Sequence, residues 1–180
     1  MAKQVLILEG SMRTKGNTAL LAESFGRGAE AAGHTVTELF LNQLQIHDCL
    51  GCAACRSHPG TCVQKDDMTS VFQAMMEADV IVLASPVYFY TWTSLIKRTL
   101  DRTFAIEPVL SNKTFYLIST CAADQESYAK TMKDSYEQYV GCFEQNCRSG
   151  GILIGCNMRT AGEIEHTDDL QQAYQMGMQL

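Results

Sequence analysis

A short polar turn near the amino terminus carries the residue types that hold a phosphate group. Residues 10–18 read G-S-M-R-T-K-G-N-T, directly after an apolar run and directly before a helical pattern. Such a turn leaves backbone N–H groups unpaired beside the positive end of a helix dipole, which favours an anion. The residues that could bind the anion or permit the tight backbone are Ser11, Arg13, Gly16, Asn17 and Thr18.

The sequence of this turn matches neither of the motifs of two better-known phosphate-binding loops. It lacks both G-x-x-x-x-G-K-[ST] and G-x-G-x-x-G. A terminal phosphate monoester is therefore the candidate ligand. The alternative is an ordinary strand-to-helix turn with a polar N-cap and no ligand.

A second stretch, at residues 85–90, brings aromatic side chains to the end of another apolar run. It reads S-P-V-Y-F-Y and directly follows D-V-I-V-L-A. Pro86 stiffens the backbone, and Tyr88 or Phe89 could lie against the face of a ring. Alternatively, a proline turn places these aromatic residues in the core. Together with the phosphate turn, the stretch predicts a ligand with a phosphate at one end and a flat aromatic system at the other.

Four of the eight cysteines form a compact pattern, C-x2-C-x2-C-x6-C, made by Cys49, Cys52, Cys55 and Cys62. They lie in residues 42–65, which show no helical or strand periodicity and predict a long functional loop. Four thiolates at this spacing could ligate a [4Fe–4S] cluster. Two alternatives stay open: a zinc site in which His58 replaces one thiolate, and a loop of reduced, unliganded thiols.

The elements that must position these residues alternate regularly along the chain. Five short apolar runs, at residues 5–8, 35–41, 79–84, 114–119 and 152–156, predict strands. Helical patterns follow at residues 18–32, from 67 onward, and at 92–104, 126–146 and 168–178. This alternation predicts an α/β fold with a doubly wound five-stranded parallel sheet in three layers. Ligands bind at the carboxyl ends of such strands, so the loops at 10–18, 85–90 and 120–125 should converge on one site.

Length and charge restrict the class of protein. The 180 residues predict one domain, residues 1–180, and the net charge is 14 − 20 = −6 without a block of Lys or Arg. Binding to nucleic acid or to an anionic membrane is therefore not expected. No apolar run reaches bilayer length and no signal peptide begins the sequence, which predicts a cytoplasmic protein. In that compartment, cysteines act as thiols, metal ligands or redox groups.

The sequence resembles the flavodoxin-like NAD(P)H-dependent FMN reductase family, in the branch that includes the iron–sulfur flavoproteins. The resemblance rests on G-S-M-R-T-K-G-N-T, on C-L-G-C-A-A-C with C-V-Q-K-D-D-M, and on S-P-V-Y-F with L-I-K-R-T-L-D-R-T. It implies FMN as cofactor, with its phosphate held by Ser11, Arg13, Asn17 and Thr18. It further implies that the isoalloxazine is bordered by Pro86, Val87, Tyr88 and Phe89.

The third loop departs from this resemblance. Related sequences place a pair of glycines after the Ser-Thr that ends the strand, whereas here Thr120 is followed by C-A-A-D. Thr120, Cys121 and Asp124 are the candidates for cofactor contact in this loop.

The resemblance implies an oxidoreductase that takes electrons from NAD(P)H and delivers them to a quinone, a flavin or a protein acceptor, as a homodimer. No catalytic acid or base is predicted, because the flavin performs the chemistry and the protein positions it. An alternative is an iron–sulfur flavoprotein that carries electrons between a [4Fe–4S] cluster on the cysteine loop and FMN. A signalling receiver of the same fold would need an acidic cluster and a phosphoacceptor Asp, and Glu9 with Ser85-Pro86 argues against it.

Overall fold

A computed structural model describes all 180 residues of the chain, and its centre is a parallel β-sheet. The five strands are β1 (Gln4–Glu9), β2 (Thr35–Phe40), β3 (Val80–Pro86), β4 (Thr114–Thr120) and β5 (Arg148–Gly155). They lie in the order β2-β1-β3-β4-β5, and each neighbouring pair is parallel. The predicted five-stranded parallel sheet is confirmed.

Helices cover both faces of the sheet. They are α1 (Asn17–Ala31), α2 (Met68–Glu77), α3 (Ser94–Arg102), α4 (Lys130–Gly141) and α5 (Asp169–Met178). Side chains alternate across β1: Leu6 and Leu8 join a core with α2, α3 and α4, whereas Val5 and Ile7 join a core with α1 and α5. The result is the expected three-layer α/β/α arrangement. None of the helices combines the length and the apolar character that a bilayer crossing requires.

The second half of the chain differs from the sequence-based boundaries in two places. The predicted helix at residues 126–146 begins with a 3-10 turn (Glu126–Ala129), and α4 then ends at Gly141. Strand β5 begins at Arg148 rather than at residue 152, because the S-G-G segment pairs with β4 through a register shift. A Cβ on Gly150 would lie 2.3 Å from the Tyr116 ring, so glycine permits the strand to pass that side chain.

Asp67 stands at the N-cap position of α2 and is of a residue type that commonly caps a helix. Asp67 forms no capping hydrogen bond to the helix, and its carboxylate accepts the Gln45 N–H at 2.7 Å. The neighbouring Asp66 accepts the Met68 N–H at 3.2 Å instead. Tertiary contacts of the long loop therefore occupy the side chain that local sequence rules place at the cap.

Helices α1 and α5 approach closely through two glycines. A Cβ on Gly28 would lie 2.0 Å from the Tyr174 carbonyl oxygen, and a Cβ on Gly177 would lie 2.0 Å from the Phe25 carbonyl oxygen. Backbone thus faces backbone at the helix crossing, where no side chain has room. This contact fixes α5 against α1 on one face of the sheet.

We predict that Gly177→Ala lowers the free energy of unfolding by about 1–3 kcal/mol, because the methyl group forces the two backbones apart. Alanine stabilises an isolated helix relative to glycine by about 1 kcal/mol, so helix propensity alone would predict a gain in stability. Urea unfolding measures the change. The matched control is Gly141→Ala, where nothing lies within 4 Å of the added Cβ. Equal stability of the two variants would contradict the close-approach account.

Candidate functional site

A cleft of about 270 Å³ lies at the carboxyl edge of the sheet, where the strand-end loops meet. Nine predicted cofactor-binding residues line it: Ser11, Arg13, Gly16, Asn17, Thr18, Pro86, Val87, Tyr88 and Thr120. The three predicted loops therefore reach one place. The cleft also includes three residues that the sequence analysis missed, Ala122, Met158 and Arg159.

The turn of residues 10–18 is closed by its own hydrogen bonds. The Ser11 Oγ accepts the Arg13 N–H at 3.0 Å and donates to the Arg13 carbonyl at 3.2 Å, and the Gly16 N–H also donates to that carbonyl. No side chain caps α1, and no acidic residue occupies its first turn. The positive end of the α1 dipole is consequently free to act on an anion in the cleft.

Two predicted phosphate ligands brace the cleft through bonds within the protein. Asn17 donates from Nδ2 to the Thr160 carbonyl at 2.7 Å, and its Oδ1 accepts the Gly162 N–H at 2.8 Å. The Thr18 and Thr120 hydroxyls share a hydrogen bond of 2.6 Å. Asn17 thus ties α1 to the loop after β5, and Thr18 ties the turn to the end of β4. The exposed Arg13 side chain keeps its donors free.

The aromatic loop forms a tight two-residue turn beside the cleft. Tyr88 and Thr91 exchange backbone hydrogen bonds of 2.9 and 3.1 Å, with Phe89 and Tyr90 between them at φ values of 47° and 69°. Positive φ at two aromatic residues is a strained conformation of the kind that clusters at functional sites. Tyr88 lines the cleft, whereas Phe89 is 97% exposed and lies outside it.

The third loop reaches the cleft through Thr120 and Ala122 rather than through Cys121 or Asp124. Cys121 is buried behind the cleft wall, with its Sγ 3.7 Å from the Cys156 Sγ. Burial raises the pKa of the Cys156 thiol to about 12, so Cys156 stays protonated at neutral pH. Asp124 is exposed outside the cleft.

A fourth loop, after β5, completes the cleft wall. The Met158 N–H donates to the Cys121 carbonyl at 2.8 Å, which locks this loop to the end of β4. Arg159 follows and is the second arginine, after Arg13, to line the cleft. The signal for it was present in the sequence, because β5 also ends at this edge of the sheet and its loop belongs with the other three.

The four loop cysteines surround a second cavity, of about 290 Å³. Cys49, Cys52, Cys55 and Cys62 all line it, and His58 does not. No three His, Cys, Asp or Glu side chains stand close enough together to hold a metal ion. The sulfur atoms therefore stand around an open space instead of converging on one point.

A buried ion pair fixes the ends of the cysteine loop. Arg102, on α3, donates to both Asp66 carboxylate oxygens at 2.7 and 3.0 Å, and both side chains are 1% exposed. The guanidinium also reaches the His47 carbonyl at 2.8 Å and the Cys62 Sγ at 3.5 Å. Hydrogen bonding to Arg102 lowers the pKa of Asp66 to about 2. One buried arginine thus joins the start of the loop, its fourth cysteine and its end to α3.

Fold and site together define a class of protein. A parallel doubly wound sheet whose carboxyl edge carries an uncapped helix terminus, two arginines and an aromatic loop suits a flavin-binding oxidoreductase. Residues 4–140 match the protein family described as "NADPH-dependent FMN reductase". The chain belongs to this family, and within it to the iron–sulfur flavoprotein branch.

Individual relatives agree with this placement. An iron–sulfur flavoprotein of Methanocaldococcus jannaschii is 33% identical over 184 residues, which cover 97% of this chain and 93% of that protein. One from Archaeoglobus fulgidus is 37% identical over 99 residues, or 55% of this chain and 48% of that protein, so the match spans about half of its length. An NAD(P)H:quinone oxidoreductase structure from Methanothermobacter marburgensis superimposes with a TM-score of 0.79 at 15% identity, covering 99% and 96% of the two chains. This last likeness shows the fold.

We predict that Arg13→Ala weakens FMN binding by about 1.5–3 kcal/mol, because the guanidinium is a charged hydrogen-bond donor with no partner in the protein. Quenching of flavin fluorescence on titration of the apoprotein measures the dissociation constant. Lys15→Ala is the matched control, since Lys15 is an exposed cation of the same turn outside the cleft. An unchanged affinity in Arg13→Ala would remove Arg13 from the site.

We predict that Asp66→Asn costs about 3–5 kcal/mol of stability at pH 7, because it leaves the buried Arg102 charge unpaired. The pKa of Asp66 is lowered in the folded state, so its contribution is complete above the unfolded value of 3.8 and is lost as pH falls toward about 2. The stability difference from the unmodified protein should shrink over that range in urea unfolding. Asp101→Asn, which removes an exposed pair with Lys97, should cost less than about 1 kcal/mol. Equal costs for the two substitutions would refute the buried-pair account.

Proposed function

We propose that this protein binds FMN in the cleft and transfers electrons from NAD(P)H to a quinone, a flavin or a protein acceptor. The observation that carries the proposal is the combination, in one cleft, of an uncapped helix terminus, two arginines and the aromatic side chain of Tyr88. The first two features suit a phosphate monoester, and the third suits a flat ring. When bound, FMN supplies hydride acceptance and one-electron transfer.

The chain's own residues position the cofactor and leave one side of it open. Arg13 and Arg159 would hold the phosphate together with the α1 backbone, while Pro86, Val87 and Tyr88 would border the ring. Tyr88 is 50% exposed, so this side of the cleft opens to solvent and gives a nicotinamide access to the ring. The cleft would need no acid or base from the protein, because FMN would itself supply the hydride chemistry.

We further propose that the cysteine cavity holds a [4Fe–4S] cluster, which would carry electrons to or from FMN. Four thiols around one cavity suit a cluster, whose body stands between its ligands, whereas a zinc ion draws its sulfur ligands to about 2.3 Å. The buried Arg102 guanidinium, 3.5 Å from the Cys62 Sγ, offsets part of the negative charge of the thiolates. The iron–sulfur flavoproteins among the relatives support the same assignment.

We also propose a domain organisation, an oligomeric state and a location for the chain. Residues 1–180 would form one FMN-binding domain with the cysteine-rich loop at 42–65. A homodimer is supported by the exposed aromatic side chains beside the cleft, Phe89, Tyr90 and Tyr128. A cytoplasmic location is supported by the eight cysteines, none of which forms a disulfide.

Released flavin, iron and acid-labile sulfide, measured per chain on protein purified without oxygen, test both sites together. We predict one FMN with about four iron and four sulfide per chain. Cys52→Ser should lose the iron and keep the FMN, because the two cavities have no lining residue in common. Cys142→Ser, an exposed thiol outside the cysteine cavity, should keep both.

The two proposals fail separately. FMN without iron would remove the cluster and leave an FMN reductase whose loop carries reduced thiols. Full iron in Cys52→Ser would reject that cysteine as a ligand. Absence of flavin, together with no flavin binding by the purified protein, would overturn the FMN site itself.

A further inference from the structure

The last residue of β1 is a buried acid directly below the phosphate turn. Glu9 is fully buried, at 0% exposure, at the carboxyl edge of the sheet, where β1 pairs with β2 and β3. Its Oε1 accepts the Ser11 N–H at 2.6 Å, and its Oε2 is buried without a hydrogen-bond partner. The carboxyl group therefore fixes the first residues of the turn and leaves one oxygen unsatisfied.

The surroundings of this carboxyl group disfavour a negative charge. Glu9 forms no salt bridge, and the charged side chain that acts on it is another acid, Glu38 of β2. Helix α1 adds Glu23, which acts on Glu38, and β3 presents the uncharged Ala84. The turn contributes Arg13, whose exposed guanidinium lines the cleft. Burial and Glu38 raise the pKa of Glu9 to about 8.

A carboxylate at this position would oppose the function of the turn above it. The Ser11 N–H already points to Glu9, and α1 presents the positive end of its dipole to the cleft. A buried negative charge would cancel part of that field and repel a phosphate dianion through a poorly screened medium. A neutral acid has the same shape and accepts the same N–H without that repulsion.

We propose that Glu9 is a positioning residue of the phosphate site which acts as a neutral, protonated acid, so that loss of its proton weakens binding of a phosphate-bearing flavin. The proposal rests on the proposed FMN site and adds a residue that does not line the cleft. By linkage, bound phosphate holds the proton on Glu9, and a rise in pH releases both.

The test is the FMN dissociation constant of the apoprotein at pH 7, 8 and 9, in the unmodified protein and in Glu9→Gln. The phosphate of FMN is a dianion throughout this range, since its second pKa is about 6. The unmodified protein should lose about tenfold in affinity from pH 7 to 9, and Glu9→Gln should keep its pH 7 affinity. Riboflavin, which has the same ring without the phosphate, should show no such loss with either protein.

A second measurement keeps the test decisive if Glu9→Gln folds poorly. In the unmodified protein alone, the affinity for FMN should fall as the pH rises from 7 to 9, while the affinity for riboflavin should not. The FMN complex should still show the infrared band of a protonated carboxyl group at pH 9. The role of Glu9 would be overturned if FMN and riboflavin lost affinity in parallel as the pH rises. It would also be overturned if the FMN affinity of Glu9→Gln depended on pH as strongly as that of the unmodified protein. Failure of FMN to bind at pH 7 would instead overturn the proposed FMN site, and the role of Glu9 with it.

Discussion

The functional edge of this protein depends on hydroxyl side chains that join the strand ends to one another. Thr93 donates to the Gly10 carbonyl at 2.8 Å, and Ser119 donates to the Ser85 carbonyl at 2.6 Å. The hydrogen bond between the Thr18 and Thr120 hydroxyls links the turn of residues 10–18 to β4 in the same way. Each bond satisfies a polar group where a parallel ladder ends and holds two loops at a fixed separation. The cleft is therefore rigid because the backbone of its walls is tied together.

The cysteine cavity depends on a different kind of bond. The loop at residues 42–65 contributes little regular structure, so its shape cannot come from a hydrogen-bonded ladder. The buried Arg102–Asp66 pair replaces that ladder, because a guanidinium fork can join three chain segments at once. The arginine also places a fixed positive charge beside the Cys62 sulfur. Anchoring and charge compensation thus come from the same side chain.

Most of the fold followed from local patterns. Apolar runs and helical spacing predicted all five strands and the helices between them. A strand that is buried on both faces is apolar throughout, whereas a helix that is buried on one face has apolar residues three and four positions apart. Because ligands bind at the carboxyl ends of parallel strands, the sequence also predicted that Ser11, Pro86 and Thr120 line one cleft. The Asp67 side chain bonds to Gln45 instead of capping α2, and β5 begins early beside Tyr116, because both partners are distant in sequence.

The sequence by itself determined which residue types are present, how the elements alternate and which loops share an edge of the sheet. Only the tertiary structure decided what each side chain contacts. It turned Asn17 toward Thr160, buried Cys121 behind the cleft and brought Arg159 into it. It also buried Glu9 without a cation, which raises the pKa of an ordinary strand-end acid. The physical reason is that burial and partner choice depend on residues far apart in the chain, whereas periodicity is a property of neighbours.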